Sequence, residues 1–421
     1  MNKVLVIGSG GREHAIINKI KESALVVKIY AINGNGGIAK IAQCITNVNI
    51  QNHDEVIKFC QEKEINLVVI GPEQPLIEGL ADSLRDENIN VFGPSKLAAR
   101  LEGSKIFTKK LCDEFNIPTA QYKNFNNKDA AIAYLEKASM PIVVKADGIA
   151  AGKGVIIAQN KIEAVNAVKE ILDGRFGEAG NNIVIEEFLE GPEISFFAIC
   201  DGLNAHFFGH AGDHKKVGEG EVGLNTGGMG TYSPSPFVSD ELHQKIMDEI
   251  INPTLKGMAN LGSHFSGILF AGLILTKNGP KLLEFNTRLG DPEAQTILLR
   301  LKSDLYQIML ESAQGKITSK IEFDEKKAVC VVMAANGYPN SYKKGTIIEN
   351  LQEAENQGNI TIFHAGTKIE NGKILANGGR VLGISSVADN FATARQNSYK
   401  AIAKINWKDG FYRKDIAAKV A

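Results

Sequence analysis

Residues 143–155, with the sequence VVKADGIAAGKGV, contain two lysines separated by a run of small residues. Lys145 ends an apolar run that is typical of a strand, and Lys153 lies between two glycines just before the next apolar run. This pattern predicts a β-hairpin flap whose lysines neutralise nucleotide phosphates as point charges. It is not a P-loop, because the Gly-x-x-x-x-Gly-Lys-[Ser/Thr] spacing and the following helix are missing. Taken alone, a solvated turn with two incidental lysines remains the alternative.

A second signal lies in residues 283–293, LEFNTRLGDPE. Glu284 and Asn286 are two apart on a predicted strand, so their side chains point to the same face. A carboxylate and an amide oxygen are hard ligands suited to Mg²⁺ that bridges ATP phosphates. Arg288 shares this face if the strand continues, and would hold a carboxylate or a transferring phosphoryl group. The alternative is a polar surface stripe, which the flanking apolar residues disfavour.

A third signal follows a predicted strand, in residues 186–193, EEFLEGPE. The backbone amide and carbonyl groups of such a strand end are able to pair with the edge of an adenine. Glu193 would then accept hydrogen bonds from ribose hydroxyls. An edge strand with solvated acids has the same sequence pattern, so this segment is weak evidence by itself.

The N-terminal residues 4–14, VLVIGSGGREH, predict a buried strand that turns into a helix. Glu13 breaks the Gly-x-Gly-x-x-Gly dinucleotide fingerprint, and no acid ends the second predicted strand, so NAD binding is disfavoured. Gly10, Gly11 and Arg12 would instead hold a monophosphate at the helix N-terminus. A tight turn that binds nothing is the alternative.

Strand and helix signals alternate over the first hundred residues, which predicts a parallel sheet with right-handed crossovers. One helix is expected over 76–88 and another over 241–261. Strand pairs are expected at 141–145 with 154–158, at 183–188 with 193–200, and at 268–276 with 281–285. Residues 207–236 are too rich in glycine for one rigid element, and a smaller β-rich region follows residue 325.

Composition narrows the class of protein. The length of 421 residues predicts about three domains, and the net charge of -1 gives no electrostatic drive toward nucleic acid or acidic membranes. Five widely spaced cysteines without a Cys-x-x-Cys pair disfavour disulfides and zinc, and suit a reducing compartment. The longest apolar stretch free of charge, 265–275, is shorter than the roughly 20 residues that span a bilayer.

The four segments, in this order, resemble the phosphoribosylamine–glycine ligase (glycinamide ribonucleotide synthetase) family of the ATP-grasp superfamily. The similarity covers nearly the whole chain. It extends to further motifs at 71–76 (GPEQPL), 104–107 (SKIF), 213–215 (DHK), 225–230 (NTGGMG), 337–339 (GYP) and 364–367 (HAGT).

This resemblance implies an α/β fold in three parts. An N-terminal Rossmann-like parallel-sheet domain (1–101) would bind the substrate phosphate, and an ATP-grasp domain (102–325) would carry a mobile flap subdomain at about 120–192. A small β-rich C-terminal domain (326–421) would follow. The implied reaction joins glycine to 5-phosphoribosylamine through a glycyl phosphate, with ATP split to ADP and phosphate, at the second step of purine synthesis.

The resemblance also implies residue roles. Catalysis would use Arg288 and Asp213. ATP would be bound by Lys105, Lys145, Lys153, Glu186, Glu187, Phe188, Leu189 and Glu193. The other substrates would be bound by Gly10, Gly11, Arg12, Glu73, Asn225, Gly227, Gly228, Met229, Gly230 and Asp291. Glu284 and Asn286 would bind Mg²⁺ or Mn²⁺.

The resemblance implies small-molecule partners only, a cytoplasmic location, and a monomer or weak homodimer. The sequence departs from the family pattern at Gly212, where Gln is usual, and at Leu224, where Pro is usual. Residues 270–276 also lack the acid that many ATP-grasp enzymes carry before the metal strand. Two rival readings are another ATP-grasp carboxylate–amine ligase and a nucleotide-binding sensor without turnover.

Overall fold

The N-terminal part of the chain forms a parallel sheet with the strand order β3-β2-β1-β4-β5. In this computed structural model, which describes residues 2–150 and 154–421, the predicted first strand is buried from Val4 to Ile7. The elements are β1 (Asn2–Gly8), α1 (Gly11–Ile20), β2 (Val26–Asn33), a 3₁₀ turn (Ile38–Lys40), β3 (Gln43–Ile45), α2 (His53–Lys63), β4 (Leu67–Ile70), α3 (Glu73–Glu78), α4 (Leu80–Asp86) and β5 (Val91–Phe92).

The single helix expected over 76–88 is wrong in one respect. Gly79 adopts φ 95°, a left-handed conformation that ends α3 and starts α4 on a new axis. Because glycine has no Cβ, this break costs little there. The first of the two helices, α3, begins at Glu73, shortly after strand β4 ends at Ile70.

A second sheet has the order β6-β9-β7-β8, and β7 pairs antiparallel with β8 as the hairpin prediction requires. The loop residues 151–153, including Lys153, lie outside the described residues. This sheet with its helices is called the flap sheet below. Its elements and the helices before it are α5 (Lys96–Gly103), α6 (Lys105–Phe115), β6 (Tyr122–Phe125), α7 (Lys128–Leu135), β7 (Ile142–Ala146), β8 (Val155–Ala158), α8 (Lys161–Glu170), a π turn (Ile171–Arg175), a 3₁₀ turn (Gly177–Gly180) and β9 (Ile183–Glu187).

The largest sheet follows the order β16-β15-β10-β11-β14-β17-β22-β19 and so joins the middle and the C-terminal parts of the chain. Its first part contains β10 (Glu193–Gly202), β11 (Ala205–Asp213), β12 (Lys216–Gly218), β13 (Val222–Asn225), β14 (Gly230–Ser233), α9 (Asp240–Ile246), a π turn (Met247–Ile251), α10 (Asn252–Asn260), β15 (Phe265–Thr276), β16 (Gly279–Asn286), α11 (Glu293–Arg300) and α12 (Leu305–Ala313).

The C-terminal part packs α14 on β17 and β22 around its own apolar cluster. It contains β17 (Lys327–Ala335), β18 (Ile347–Ile348), α13 (Leu351–Glu355), β19 (Ile360–His364), β20 (Thr367–Glu370), β21 (Lys373–Ala376), β22 (Arg380–Ala388), α14 (Phe391–Ile402) and β23 (Gly410–Phe411). β12 and β13 form a separate antiparallel hairpin. β18, β21 and β20 form another small sheet.

One predicted strand pairing is wrong. The strands at 183–188 and 193–200 do not pair with each other, because both edges of β9 are taken by β6 and β7, and β10 pairs instead with β11 and β15. The glycine-rich region 207–236 is not one rigid element, as predicted: it is divided among β11, β12, β13 and β14. Glycines also form turns between these strands, as at Gly220 with φ 70° and Gly228 with φ 115°.

Within residues 2–150 and 154–421, no helix combines the length and the apolar character needed to cross a membrane. The five cysteines are free thiols.

Candidate active site

Strand β16 presents Glu284 and Asn286 on one face, as the alternation predicts. In the register with β15, Gly272 lies opposite Glu284 and Phe270 opposite Asn286. Both polar side chains are half-buried, and Asn286 Oδ1 accepts a hydrogen bond from Arg288 Nη2 at 3.2 Å. The position facing Glu284 is therefore a glycine, and the neighbouring strand adds no second carboxylate.

This donor pair fits a cation that is completed by a substrate. Mg²⁺ is usually held by one or two carboxylates plus substrate phosphates and water. A group of three or more His, Cys, Asp or Glu side chains that would enclose a metal does not occur in the part of the chain that the structure describes. Glu284 and Asn286 therefore suit a metal that arrives with ATP better than a permanent metal centre.

Lys145 connects the flap sheet to the metal strand. It is buried at the end of β7, and its Nζ lies 2.8 Å from Glu186 Oε2. The same Nζ donates to the carbonyl oxygen of Leu283 at 3.3 Å, one residue before Glu284. The two sequence segments that predicted phosphate and metal binding are therefore in direct contact.

Lys105, at the start of α6, lies near Lys145 and Glu284. Ser104 caps this helix by accepting a bond from the Phe107 N–H at 3.1 Å, which fixes the first turn. Lys105 Nζ donates to the Gly148 carbonyl at 3.4 Å. Burial lowers the pKa of Lys105, and the negative charge of Glu284 opposes that shift.

Glu186 is buried between two lysines. Lys145 and Lys109 lie 2.8 and 3.2 Å from its two carboxylate oxygens. Burial opposes ionisation, but the two ammonium groups outweigh it and hold the pKa of Glu186 below its usual value. Its side chain is therefore engaged inside the protein, and its backbone lies within the ladder between β6 and β7.

Replacing Glu186 with glutamine should destabilise the protein by about 3 kcal/mol, because it leaves two buried lysines without their counter-charge. The urea midpoint of unfolding, followed by circular dichroism, measures this loss. Glu187→Gln is the matched control, since the Glu187–Lys281 pair of 3.0 Å is partly exposed and worth about 1 kcal/mol at most. Equal midpoints for the two variants would contradict a structural role for the buried triad.

Three other predicted nucleotide contacts lie beyond the end of β9 and at the start of β10. Phe188 and Leu189 are half-buried there. Glu193 pairs with Lys215 at 2.8 Å, and the positive charge of Lys215 is the main cause of the lowered pKa of Glu193. Lys215 thereby ties the segment of residues 213–215 to the proposed ribose-binding acid.

Asp213, at the end of β11, carries a buried oxygen without a partner. Its Oδ1 accepts no hydrogen bond within residues 2–150 and 154–421. Burial, assisted by the nearby negative charge of Glu293, raises the pKa of Asp213 well above its usual value, although Lys215 and Arg380 oppose the shift. An orphaned buried carboxylate of this kind is expected at a functional site rather than in a structural core.

The loop after β13 folds over this carboxylate. A Cβ on Gly228 would lie 2.5 Å from Pro292 Cδ and 2.9 Å from Asp213 Oδ1, so only glycine fits there. The N–H of Gly228 donates to Thr226 Oγ1 at 3.0 Å. Asn225 ends β13, while Met229 is fully buried and the next residue, Gly230, begins β14.

The C-terminal part holds the same loop from outside. Gly227 donates its N–H to the Tyr338 hydroxyl at 3.1 Å, and Arg380 Nη1 donates to the Gly227 carbonyl at 2.7 Å. Arg380 also donates to the carbonyl of Asp291 and lies 3.6 Å from its carboxylate. Burial would raise the pKa of Asp291, but Arg380 and Arg12 together lower it.

The N-terminal turn is occupied by a side chain of its own. Gly10 donates its N–H to Glu13 Oε2 at 2.6 Å, and Arg12 Nε pairs with Glu13 Oε1 at 2.6 Å. The Arg12 backbone N–H faces Asp291 Oδ2 at 3.4 Å. A Cβ on Gly11 would lie 2.5 Å from Gln295 Nε2. Glu13, which breaks the dinucleotide fingerprint, therefore takes the anion position at the start of α1.

Arg288 joins the start of α3 and the end of α5 to strand β16. Its guanidinium lies 3.3 Å from the Glu73 carboxylate and 2.8 Å from that of Glu102. Thus Glu73, which was predicted to bind substrate, and Asn286 are linked through a single side chain.

Several functional neighbours were not found from the sequence. Lys109 follows Lys105 by four residues, so helical spacing was a usable signal for it. Tyr338 lies in the motif at 337–339, which was given no role, and Glu102 and Arg380 gave no local pattern, because their partners lie far away in the chain.

The flap sheet and the largest sheet, which meet where Lys145 contacts Leu283 of β16, have the arrangement of an ATP-grasp protein. Models of the three parts of the phosphoribosylglycinamide synthetase family match this chain: the N domain over residues 2–102, the ATP-grasp (A) domain over 103–294 and the C domain over 328–419. The chain belongs to the phosphoribosylglycinamide synthetase family.

Relatives agree with this assignment. A phosphoribosylamine–glycine ligase of Brucella melitensis is 51% identical over 415 residues, covering 98% of this chain and 97% of that protein. The crystal structure of phosphoribosylamine–glycine ligase from Thermotoga maritima superposes with a TM-score of 0.86 at 32% identity, covering 99% of this chain and 100% of that one. The family, the fold class and the class of enzyme predicted from the sequence are confirmed.

A more distant structure shows the fold alone. The biotin carboxylase domain of 2-oxoglutarate carboxylase from Hydrogenobacter thermophilus, in complex with MgADP and bicarbonate, is 19% identical. It has a TM-score of 0.75 and covers 98% of this chain and 91% of that one.

Proposed function

We propose that this chain joins glycine to 5-phosphoribosylamine in the cleft between the flap sheet and β16. A glycine carboxylate oxygen attacks the γ-phosphorus of ATP, the bond to ADP breaks, and glycyl phosphate forms. The amine nitrogen of phosphoribosylamine then attacks the acyl carbon, phosphate leaves, and the amide of glycinamide ribonucleotide results. The product belongs to the second step of de novo purine synthesis. The observation that carries this proposal is the bond from Lys145 Nζ to the Leu283 carbonyl, which joins the nucleotide side to the metal side.

The ATP site would use the lysines of the cleft. Lys105 and Lys145 neutralise phosphate charge, and Lys153 would do so from the loop outside the described residues. Within the predicted segment 186–189, the backbone of Phe188 and Leu189, beyond the end of β9, would face the adenine edge, while Glu193, held by Lys215, would meet the ribose. Since these groups only bind and orient, catalysis rests on position and charge rather than on a nucleophilic side chain.

Glu284 and Asn286 would hold Mg²⁺ or Mn²⁺ together with ATP. When bound, the divalent cation neutralises developing phosphate charge. Arg288 fixes the Asn286 amide by donating to its oxygen, so that this oxygen stays on the Glu284 face of the strand. The choice between the two metals does not follow from the donor set.

Glycine would lie against Asp213. The orphaned Oδ1 of this residue is a ready acceptor for the ammonium group of glycine, and the loop at Gly227 and Gly228 closes over it. A protonated amine supplies the missing counter-charge in a buried site, where a charge-assisted bond is strong.

Phosphoribosylamine would bind at the N-terminal turn. Its 5′-phosphate would lie on Gly10, Gly11 and Arg12, and Glu73 would accept from its ribose hydroxyls. Because the Glu13 carboxylate holds the Gly10 N–H, phosphate binding at that amide requires Glu13 to turn away. Asp291, which faces the backbone of Arg12, lies between this site and the glycine loop.

Measuring ADP release while each substrate is left out in turn tests the proposal. ADP should form only when glycine is present, and continuous turnover should also need phosphoribosylamine. ADP formation at the same rate without glycine would overturn the glycine assignment. A further assay replaces glycine with bicarbonate. Full turnover with bicarbonate would indicate another ATP-grasp ligase.

We also propose domain limits at residues 101 and 325, a cytoplasmic location, and a monomer or weak homodimer. The free thiols of all five cysteines agree with a reducing compartment.

A further inference from the structure

The last strand is followed by a short tail that contacts the β12–β13 hairpin. Arg413 is only 2% exposed, and its guanidinium donates to the Lys216 carbonyl at 2.9 Å and to Glu221 Oε1 at 2.6 Å. It also forms two bonds with Asp415, at 2.8 and 2.7 Å. A buried arginine thus joins two segments that are almost 200 residues apart in the sequence.

Three more hydrogen bonds run between the tail and the hairpin region. The Lys414 N–H donates to Glu219 Oε1 at 3.1 Å, and the Gly220 N–H donates to Asp415 Oδ2 at 2.8 Å. The Ala417 N–H donates to His214 Nε2 at 3.1 Å. The contact therefore spans the hairpin from its base to its turn.

His214 is held in one tautomer by these bonds. Since its Nε2 accepts from Ala417, the proton of the neutral ring lies on Nδ1, which donates to Glu221 Oε1 at 2.9 Å. Hydrogen bonds from His214 and Arg413 outweigh burial and lower the pKa of Glu221 to about 2. The Glu221 carboxylate is therefore charged at neutral pH and binds both groups.

The hairpin has little apolar anchorage of its own. Val222 and Leu224 are 61% and 52% exposed, so its apolar side chains face away from the core. Packing contributes little to holding such a segment, and its position then depends on specific polar bonds. Arg413 supplies the most buried of these bonds.

The backbone of His214 is hydrogen-bonded to the loop of the proposed glycine site. The His214 N–H donates to the Gly230 carbonyl at 2.9 Å, and the Met229 N–H donates to the His214 carbonyl at 2.8 Å. Asp213 is the preceding residue. A shift of His214 therefore moves both the orphaned carboxylate and the loop that covers it.

We propose that Arg413 is a positioning residue for the glycine site, acting through the β12–β13 hairpin and His214. The part of this inference that concerns glycine rests on the proposed function. The mechanical part, that Arg413 orders residues 216–225, stands on the contacts alone.

Comparing Arg413→Met with Arg395→Met tests the proposal. Arg395 is a matched control, because it binds the same tail through the carbonyls of Ile416 and Lys414 and does not contact the hairpin. Arg413→Met should raise the glycine KM by at least about tenfold and the ATP KM by clearly less, since ATP would feel the change only through the Lys215–Glu193 pair. Arg395→Met should leave both KM values within about twofold.

Amide hydrogen exchange supplies a readout that does not depend on activity. Exchange in residues 216–225 should be about tenfold faster or more in Arg413→Met than in the wild type, and unchanged in Arg395→Met. Glu221→Gln, at a partly exposed position, serves if Arg413→Met fails to fold, and should change exchange and glycine KM in the same direction. Arg413→Lys should recover only part of the effect, because lysine lacks the planar fork.

The outcomes separate the two proposals. Equal exchange in the Arg413 and Arg395 variants, or an equal rise of the glycine and ATP KM values, would overturn the positioning role. Glycine-independent ADP release by the wild type would instead overturn the proposed function, and the exchange comparison would still decide whether Arg413 orders the hairpin.

Discussion

Replacing Glu284 with glutamine is expected to reduce ADP formation by about 10²–10³-fold at saturating substrates. The variant keeps the size of the side chain but removes the only carboxylate of the proposed metal pair, since Gly272 lies opposite it and Asn286 is neutral. The concentration of Mg²⁺ or Mn²⁺ needed for half-maximal rate should also rise. Titrating either metal in an ADP-release assay measures both effects.

The fold should survive this change. Glu284 is half-buried and forms no ion pair within the described ranges 2–150 and 154–421, so glutamine removes only its longer-range attraction to Lys105 and Lys215. Glu249→Gln is the control, since Glu249 is exposed and lies 3.9 Å from Lys245 on a distant helix. Turnover of the Glu284 variant within about twofold of that control would remove the metal role from this residue.

Replacing Asp213 with asparagine should make the enzyme less active and more stable. The neutral amide cannot supply a counter-charge for the glycine ammonium, and the glycine kcat/KM should fall by about 10²-fold or more. The wild-type carboxylate is buried without a hydrogen bond at Oδ1, and removing that charge should stabilise the fold by about 1 kcal/mol at neutral pH. Steady-state kinetics and thermal unfolding measure the two effects.

The raised pKa of Asp213 determines how the free energy of unfolding changes with pH. Because the folded-state pKa of Asp213 is raised, the folded protein holds this proton more tightly than the unfolded chain. Its contribution to stability therefore falls as pH rises above the unfolded pKa of roughly 4. The stability advantage of Asp213→Asn over the wild type should grow as pH rises from about 4 to 7.

Asp201→Asn is the contrasting control. The Asp201 carboxylate accepts N–H bonds from Leu203, Asn204 and Ile317, and these lower its pKa despite burial. Its stabilisation is present above the unfolded pKa and is lost as pH falls through the folded pKa. Asp201→Asn should therefore destabilise the protein at neutral pH. A loss of stability in Asp213→Asn as well would contradict the interpretation of Asp213 as an uncompensated charge.

The fold was readable from the sequence wherever one local pattern decided it. The apolar run of β1, the Asn278-Gly279 turn between β15 and β16, and the glycine loop after Lys145 each carry their own signal. Strand partners were less legible. The sequence places β9 next to β10, but pairing depends on which edges are already filled, and that is decided by residues far away.

The candidate site divides in the same way. Glu284 and Asn286 follow from the alternation of one strand, and Lys145 follows from a strand end. Arg380 and Gly227 are 153 positions apart in the sequence, so no local sequence pattern predicts their contact. Glu13 was visible as a break in a glycine motif, yet only the structure shows its carboxylate on the Gly10 N–H.

Strand β14 lies between β11 and β17, with Thr231 opposite both Asp213 and Cys330. The C-terminal part therefore shares a backbone ladder with the catalytic sheet and is not a detachable module. A chain cut between residues 325 and 326 would leave a bare strand edge, the kind of surface that recruits other chains.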